Sequence, residues 1–193
     1  MPLPPINFCS QCGSTVEQKI PQGEDRLRAV CPNCQTIHYQ NPKIVAGCIP
    51  EWEGQVLMCR RAIEPRLGLW TFPAGFMEMG ESSEEAAARE TQEEALADVQ
   101  ITSLYAVYSL RRVDQVYIIY RGELRKREFG VGEESLEVQL VSLDDIPWKQ
   151  LAFPVIHEAL TRYVHDREQK SFGVHFGSIA PMTQMPAYES PAQ

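Results

Sequence analysis

The chain is short of positive charge: 18 lysines and arginines stand against 26 aspartates and glutamates, a formal net charge of −8. That balance argues against broad electrostatic adhesion to nucleic acid or anionic lipid. A phosphate-bearing substrate stays open, because bound divalent cations invert a local field. Apolar runs long enough to span a membrane are missing. The opening Met1-Pro2-Leu3-Pro4-Pro5 also lacks the basic region and apolar core of a signal peptide. A cytosolic chain without membrane attachment is the expectation. Histidine is scarce, and His38, His157, His165 and His175 show no ligand spacing. No internal repeat recurs at a fixed period.

What is present is unevenly placed. Of six cysteines, Cys9, Cys12, Cys31 and Cys34 form two C-x2-C pairs, and Cys48 and Cys59 stand alone in apolar segments. In a cytosolic protein paired cysteines read as metal ligands before disulfides. Two such pairs on tight turns, for which Gly13 and Pro32 are suited, can set four thiolates tetrahedrally around Zn²⁺. The metal would hold together a segment too small to bury a core of its own. Residues 1–40 are therefore read as a zinc ribbon. Their near-balanced charge favours bracing a neighbouring domain, or a homodimer, over binding nucleic acid. Cys48 and Cys59 are expected to be core thiols.

Asn41-Pro42 breaks the chain, and residues 41–168 read as a second domain. Lys43 to Ile49 and Gln55 to Arg60 read as a hairpin turning at Glu53-Gly54. Leu67 to Gly75 is a short strand entering a loop. Ile101 to Leu110, Val113 to Tyr120 and Ser135 to Val141 are further strands, and Val155 to about Arg167 is a helix. Residues 169–193, rich in Pro, Ser, Gly and Gln, are expected to form an extended tail.

The densest feature is acidic: from Glu78 to Glu94 there are seven glutamates and one arginine. Ser82 is the expected N-cap of a helix there, with Glu85 as its capping-box partner. On that helix Glu90, Glu93 and Glu94 fall within one arc of roughly 100°. Ala86 and Ala97 would share that side and leave room around the carboxylates, while Ala88, Thr91 and Ala95 pack on the scaffold. Arg89 is placed to orient Glu93 and Glu81. Clustered carboxylates call for a hard cation among them, although a solvated acidic face fits the same residues. The Pro73-Ala74-Gly75 loop lets the backbone approach closely, so that a carbonyl can join a metal shell.

The order of these residues resembles the Nudix box. From Gly75, five residues lead to Glu81 and seven more to Arg89, followed by Glu90, Glu93 and Glu94. Two positions depart from the pattern. Thr91 replaces an aliphatic residue, and Leu96 replaces a glycine. Because a bulky residue avoids the left-handed conformation, the helix is expected to end later or differently. The resemblance implies an α/β fold, a Nudix-type α/β/α sandwich with a mixed sheet, preceded by the small zinc ribbon. A ribbon before such a domain is similar to the NADH pyrophosphatase group and to a group of ADP-ribose and FAD pyrophosphatases. The Ser-Gln-Pro-Trp motif of the former is absent, and Val107 to Arg112 stands in its place. Glu133 to Glu137, Asp145-Ile146-Pro147-Trp148 and Leu151-Ala152-Phe153 look more like the latter.

The resemblance further implies a metal-dependent pyrophosphohydrolase acting on a nucleoside diphosphate linked to another group. ADP-ribose or FAD would yield AMP and a phosphorylated product. Carried over by motif position, Glu90, Glu93, Glu94 and the Ala74 carbonyl bind Mg²⁺ or Mn²⁺, with Arg89 and Glu81 as orienters. The general base is sought outside the helix, at Glu133 or Glu134. Gly130 and Gly132 are expected to let their loop close over substrate. Arg60, Arg61, Arg66, Arg111 and Arg112 are candidate diphosphate contacts. Trp70, Tyr105 and Tyr108 are candidates for stacking or for the core. The alternatives are an NADH or NAD-capped RNA pyrophosphatase, and a non-catalytic nucleotide sensor.

Overall fold

A computed structural model describes residues 4–179, in two units: residues 4–42 with 112–114, and residues 43–111 with 115–179. The first unit carries three short strands, β1 (Glu17–Lys19), β2 (Arg28–Val30) and β3 (Ile37–His38), in one antiparallel sheet. Its apolar interior is small, Ala29 and Val30 being buried beside Cys9 and Cys31.

The second unit opens with β4 (Lys43–Trp52) and β5 (Gln55–Arg61). Glu53 (φ +47°) and Gly54 (φ +84°) form the turn between them. Two positive φ values in a two-residue loop match the right-handed twist of the flanking strands. After β6 (Trp70–Thr71) and β7 (Ala74–Phe76) comes helix α1 (Ser83–Ala95). Then follow β8 (Val99–Leu110), β9 (Gln115–Leu124), β10 (Ser135–Val141), helix α2 (Pro154–Gln169) and β11 (His175–Ser178). The sheet order is β10-β5-β4-β9-β8-β11, with β6 on β5 and β7 on β4. β4/β9 and β8/β11 run parallel and the other pairs antiparallel, so the sheet is mixed.

Alternation along the strands builds two cores, one on each face of the sheet. Cys48, Leu57, Cys59 and Tyr120 pack with Ala86, Ala87 and Ala95 of α1. Their neighbours Ile49, Met58 and Ile119 point the other way and pack with Val155, Ile156, Ala159, Leu160 and Tyr163 of α2. The layers are helix, sheet, helix. Cys48 and Cys59 are buried, and burial raises both thiols, as expected of core residues. Trp70, Tyr105 and Tyr108 are likewise core side chains, which removes them as stacking surfaces in this conformation.

α2 is locked to the sheet by polar contacts as well. Glu51 receives Arg167 Nη1 at 2.9 Å and Arg121 Nη2 at 3.4 Å, together with the Tyr163 hydroxyl. Of the stretch read as a tail, residues 180–193 lie outside the described residues. His175–Ser178 forms β11, and His175 Nε2 lies 2.7 Å from Asp166 Oδ2 on α2. The Tyr105 hydroxyl donates to the same oxygen at 3.2 Å.

Candidate active site

α1 begins as its sequence dictates. The Ser82 side chain accepts from Glu85 N–H, and the Glu85 side chain accepts from Ser82 N–H at 2.7 Å. A cap of this kind is worth about 1 kcal/mol. Thr91, the first departure from the motif, is fully buried and bonds its hydroxyl to the Ala87 carbonyl at 2.8 Å, so the core accepts it without an orphaned polar group. Ala86 and Ala97 are core residues rather than space beside the carboxylates, and Ala88 is only half-buried.

The helix ends at the motif's second departure, and the expectation of a displaced end is corrected. Leu96 does adopt the left-handed conformation, with φ 48° and ψ 34°. That costs an L-residue roughly 1–2 kcal/mol. Three hydrogen bonds offset it. Leu96 N–H donates to Gln92 O at 3.0 Å, Gly130 N–H to Ala95 O at 2.7 Å and Gly132 N–H to Glu94 O at 3.2 Å. The loop 130–132 thus caps α1. A Cβ on Gly132 would sit 1.8 Å from the Glu93 carbonyl oxygen. The glycine serves this close approach, rather than the hinge expected from sequence.

The acidic residues then separate by environment. Glu90 and Glu94 are buried, whereas the Glu93 side chain is 58% exposed. The Glu90 carboxylate lies against Gly75, where a Cβ would meet its Cδ at 2.3 Å. Ala74 N–H donates to Glu94 Oε2 at 3.3 Å. Arg89 organises the rest, bonding Glu81 through Nε at 2.9 Å and Nη2 at 2.8 Å. Its Nη1 reaches Glu90 at 2.8 Å and Glu93 at 2.9 Å, and Nη2 also meets the Phe76 carbonyl at 3.1 Å. This bidentate hold lowers the Glu81 carboxyl to about 2 and raises Arg89. Glu81 Oε1 also accepts from Glu78 N–H at 2.6 Å.

Burial pushes Glu90 up, and it pushes Glu94 up to about 8, with the Glu90 charge adding to the rise. Ala74 N–H and the Arg61 charge oppose the shift at Glu94, while the Glu134 charge raises both residues. Arg89 is shared among Glu81, Glu90 and Glu93, and Glu94 makes no ion pair among the described residues, so the buried carboxylates lack a full counter-charge. An oxygen-preferring divalent cation suits that donor set.

Glu133 and Glu134 both sit on the exposed turn before β10. Ala62 N–H donates to the Glu134 carbonyl at 2.8 Å, which fixes the turn against the β5 end. Glu134 is the member of the pair whose charge reaches Glu90 and Glu94. Arg61 stacks over Phe153 at 5.2 Å and donates from Nε to the Pro65 carbonyl at 3.0 Å. Arg60 instead bonds Gly68 O at 2.9 Å, and Arg111 and Arg112 are exposed in the β8–β9 turn.

In the first unit the four Sγ atoms lie within 4.8 Å of one another. Cys9 to Cys34 and Cys12 to Cys31 are each 3.5 Å, too long for a disulfide. A tetrahedron with Zn–S of about 2.3 Å has edges of roughly 3.8 Å, so the donor set fits zinc. The two knuckles are built alike. Gly13 N–H returns to Cys9 O at 2.9 Å and Gln35 N–H to Cys31 O at 3.0 Å, both residues having positive φ. Ser14 hydrogen bonds lower the Cys12 thiol to about 5 and Thr36 lowers Cys34, favouring the thiolate there, while Cys31 is pushed up to about 11 in the metal-free quartet.

Residues 41–163 match the NUDIX domain family, and residues 7–40 match the zinc-ribbon family described as Nudix N-terminal. The chain belongs to the Nudix family. It is a Nudix hydrolase acting on pyrophosphate bonds, with an N-terminal zinc-ribbon module. A crystal structure of a NUDIX hydrolase from Nitrosomonas europaea is 51% identical, with a TM-score of 0.85 over 90% of this chain and 99% of that one. A protein named ADP-ribose pyrophosphatase from Methanocaldococcus jannaschii is 30% identical over 128 residues, 64% of this chain and 73% of that protein. The NAD-capped RNA hydrolase NudC of Vibrio vulnificus is 30% identical over 101 residues, 51% of this chain but only 35% of the relative. Among the described residues of this Nudix hydrolase, no helix is long and apolar enough to cross a membrane.

Proposed function

We propose that the Nudix domain cleaves a nucleoside diphosphate joined to a second group, ADP-ribose or FAD, into AMP and a phosphorylated product. The observation that carries the reaction type is the buried pair of Glu90, seated on Gly75, and Glu94, held by the Ala74 N–H, within reach of the Glu134 charge. Glu90, Glu93, Glu94 and the Ala74 carbonyl hold the divalent cation, Mg²⁺ or Mn²⁺. When bound, that cation neutralises pyrophosphate oxygens and lowers the pKa of the attacking water. Arg89 and Glu81 keep the carboxylates in place. Glu134 accepts the proton of the attacking water, for which its exposed turn leaves access. Arg61, next to the cluster by its effect on Glu94, supplies positive charge to a phosphate.

The substrate reading is supported by the archaeal relative's name, of which this chain covers 73%. The missing Ser-Gln-Pro-Trp motif supports it too. The ribbon holds one structural Zn²⁺ on Cys9, Cys12, Cys31 and Cys34, and its role is bracing or self-association. Four reduced thiols suit a cytosolic setting. The deciding experiment is AMP release from ADP-ribose, FAD and NADH, each with and without Mg²⁺ or Mn²⁺. ADP-ribose or FAD should have the highest kcat/KM. A tenfold preference for NADH, about 1.4 kcal/mol at the transition state, would overturn the substrate assignment. Elemental analysis should find one zinc per chain.

A further inference from the structure

A cavity of about 260 Å³ opens between α2 and β11, lined by Tyr108, Glu158, Arg162, Val174, His175 and Phe176. It is separate from the carboxylate cluster. Across the sheet, Tyr108 pairs with Tyr117, Tyr117 with Val45 and Val45 with Phe76 on β7. Three strand spacings, roughly 14 Å, therefore separate β8 from β7. Tyr117 and Val45 are themselves buried, so core fills the interval.

Tyr108 is 4% exposed, and its hydroxyl has no hydrogen-bond partner among the described residues. A buried hydroxyl without a partner is unfavourable, and an acceptor on a ligand in the cavity would satisfy it. Burial raises this phenol to about 12, and it remains a donor at neutral pH. The other walls define the rest of the ligand. Arg162 Nε is held by Glu158 Oε1 at 2.9 Å, and His175 Nε2 is shared with Asp166. The charges are thus nearly balanced, which does not suit a polyphosphate. The Phe176 ring is 85% exposed and Val174 is 54% exposed, offering an apolar face. A planar ring with both donors and acceptors on its edge matches these features. The volume falls just under the roughly 300 Å³ at which drug-sized sites begin, and admits a base with its ribose.

We propose that this cavity is a second ligand site, binding a nucleoside with its base on Phe176 and its edge at Tyr108, Glu158 and Arg162. The test uses the full zinc-loaded chain without Mg²⁺ or Mn²⁺, titrated with adenosine and followed by calorimetry and by amide NMR shifts. Adenosine is also part of the proposed substrate, so the position of the shifts, at residues 174–177 rather than around Glu90 and Glu94, is what separates this site from the catalytic one. Saturable binding with shifts at residues 174–177 is expected. Tyr108→Phe, which removes one oxygen and relieves an unsatisfied group in the free protein, should weaken it about three- to tenfold. Phe176→Ala, at an exposed position, should weaken it as well. Glu94→Gln should leave it unchanged. Absence of saturable binding overturns the proposal. So does affinity unchanged in Tyr108→Phe or in Phe176→Ala, or affinity lost in Glu94→Gln, which would move the nucleoside to the hydrolytic site.

Discussion

The Glu90 carboxylate occupies the space that a side chain on Gly75 would fill, 2.3 Å from an ideal Cβ. The first glycine of the motif is therefore a steric requirement of a glutamate fifteen positions later, and the two residues constrain each other.

Gly75→Ala should displace Glu90 while leaving the two cores intact. Misplacing a reacting group by about 1 Å can cost on the order of 10²-fold in rate. Metal-dependent pyrophosphate hydrolysis is expected to fall by at least about that factor, with an unchanged circular dichroism spectrum. Wild-type turnover in this variant would show that Glu90 has no part in the chemistry.

Burial, with the Glu90 charge beside it, pushes the Glu94 carboxyl up from the usual carboxylate range to about 8 in the folded, cation-free protein. The raised folded value means that the protonated carboxyl stabilises the cation-free protein below the unfolded pKa, and that this contribution is lost as pH rises through about 8. A divalent cation competes with that proton. Melting curves in Mg²⁺-free buffer should decline between about pH 4.5 and about pH 8, and the gain in Tm on adding Mg²⁺ should grow over the same interval. Glu94→Gln should flatten both trends. A Mg²⁺ effect independent of pH would remove Glu94 from the metal site.

The two glutamates of the β10 turn can be separated kinetically. Glu134→Gln should lower kcat about 10²- to 10⁴-fold and remove the acidic limb of the pH–rate profile. Glu133→Gln should leave both near wild type. The reverse pattern would assign the proton transfer to Glu133.

Leu96 can be tested for strain. Leu96→Gly relieves the left-handed backbone, worth about 1 kcal/mol, and gives up a side chain that is 52% exposed. A modest rise in the denaturant midpoint is expected. A fall of about 1 kcal/mol or more would show that packing of Leu96 over Gly130 outweighs the backbone term.

Much of this was readable before any coordinates. The capping box at Ser82, the turn at Glu53-Gly54 and β10 over Ser135–Val141 are local signals, set by caps, turn chemistry and alternation. The cysteine quartet was readable because its ligands come as two sequence-local pairs. Local propensity alone does not place a left-handed Leu96 at the helix end, because the 130–132 loop that satisfies that end lies far along the chain. The link from Tyr105 through Asp166 to His175 was invisible for the same reason: three residues far apart in sequence meet only through the fold. The inequality among the glutamates was also hidden, since helical spacing places Glu93 beside Glu94 but does not reveal which one the sheet covers.

The parallel pairing of β11 with β8 has a consequence in time. β8 is made and paired with β9 long before His175–Ser178 leaves the ribosome, because β10 and α2 must be synthesised in between. Through that interval its outer edge presents unpaired backbone groups of a kind that recruits other chains. Closure of that edge waits on α2, whose Asp166 supplies the anchor for His175. Chains that contain α2 but end before residue 175 would thus cover both faces of the sheet and still expose its β8 edge to association.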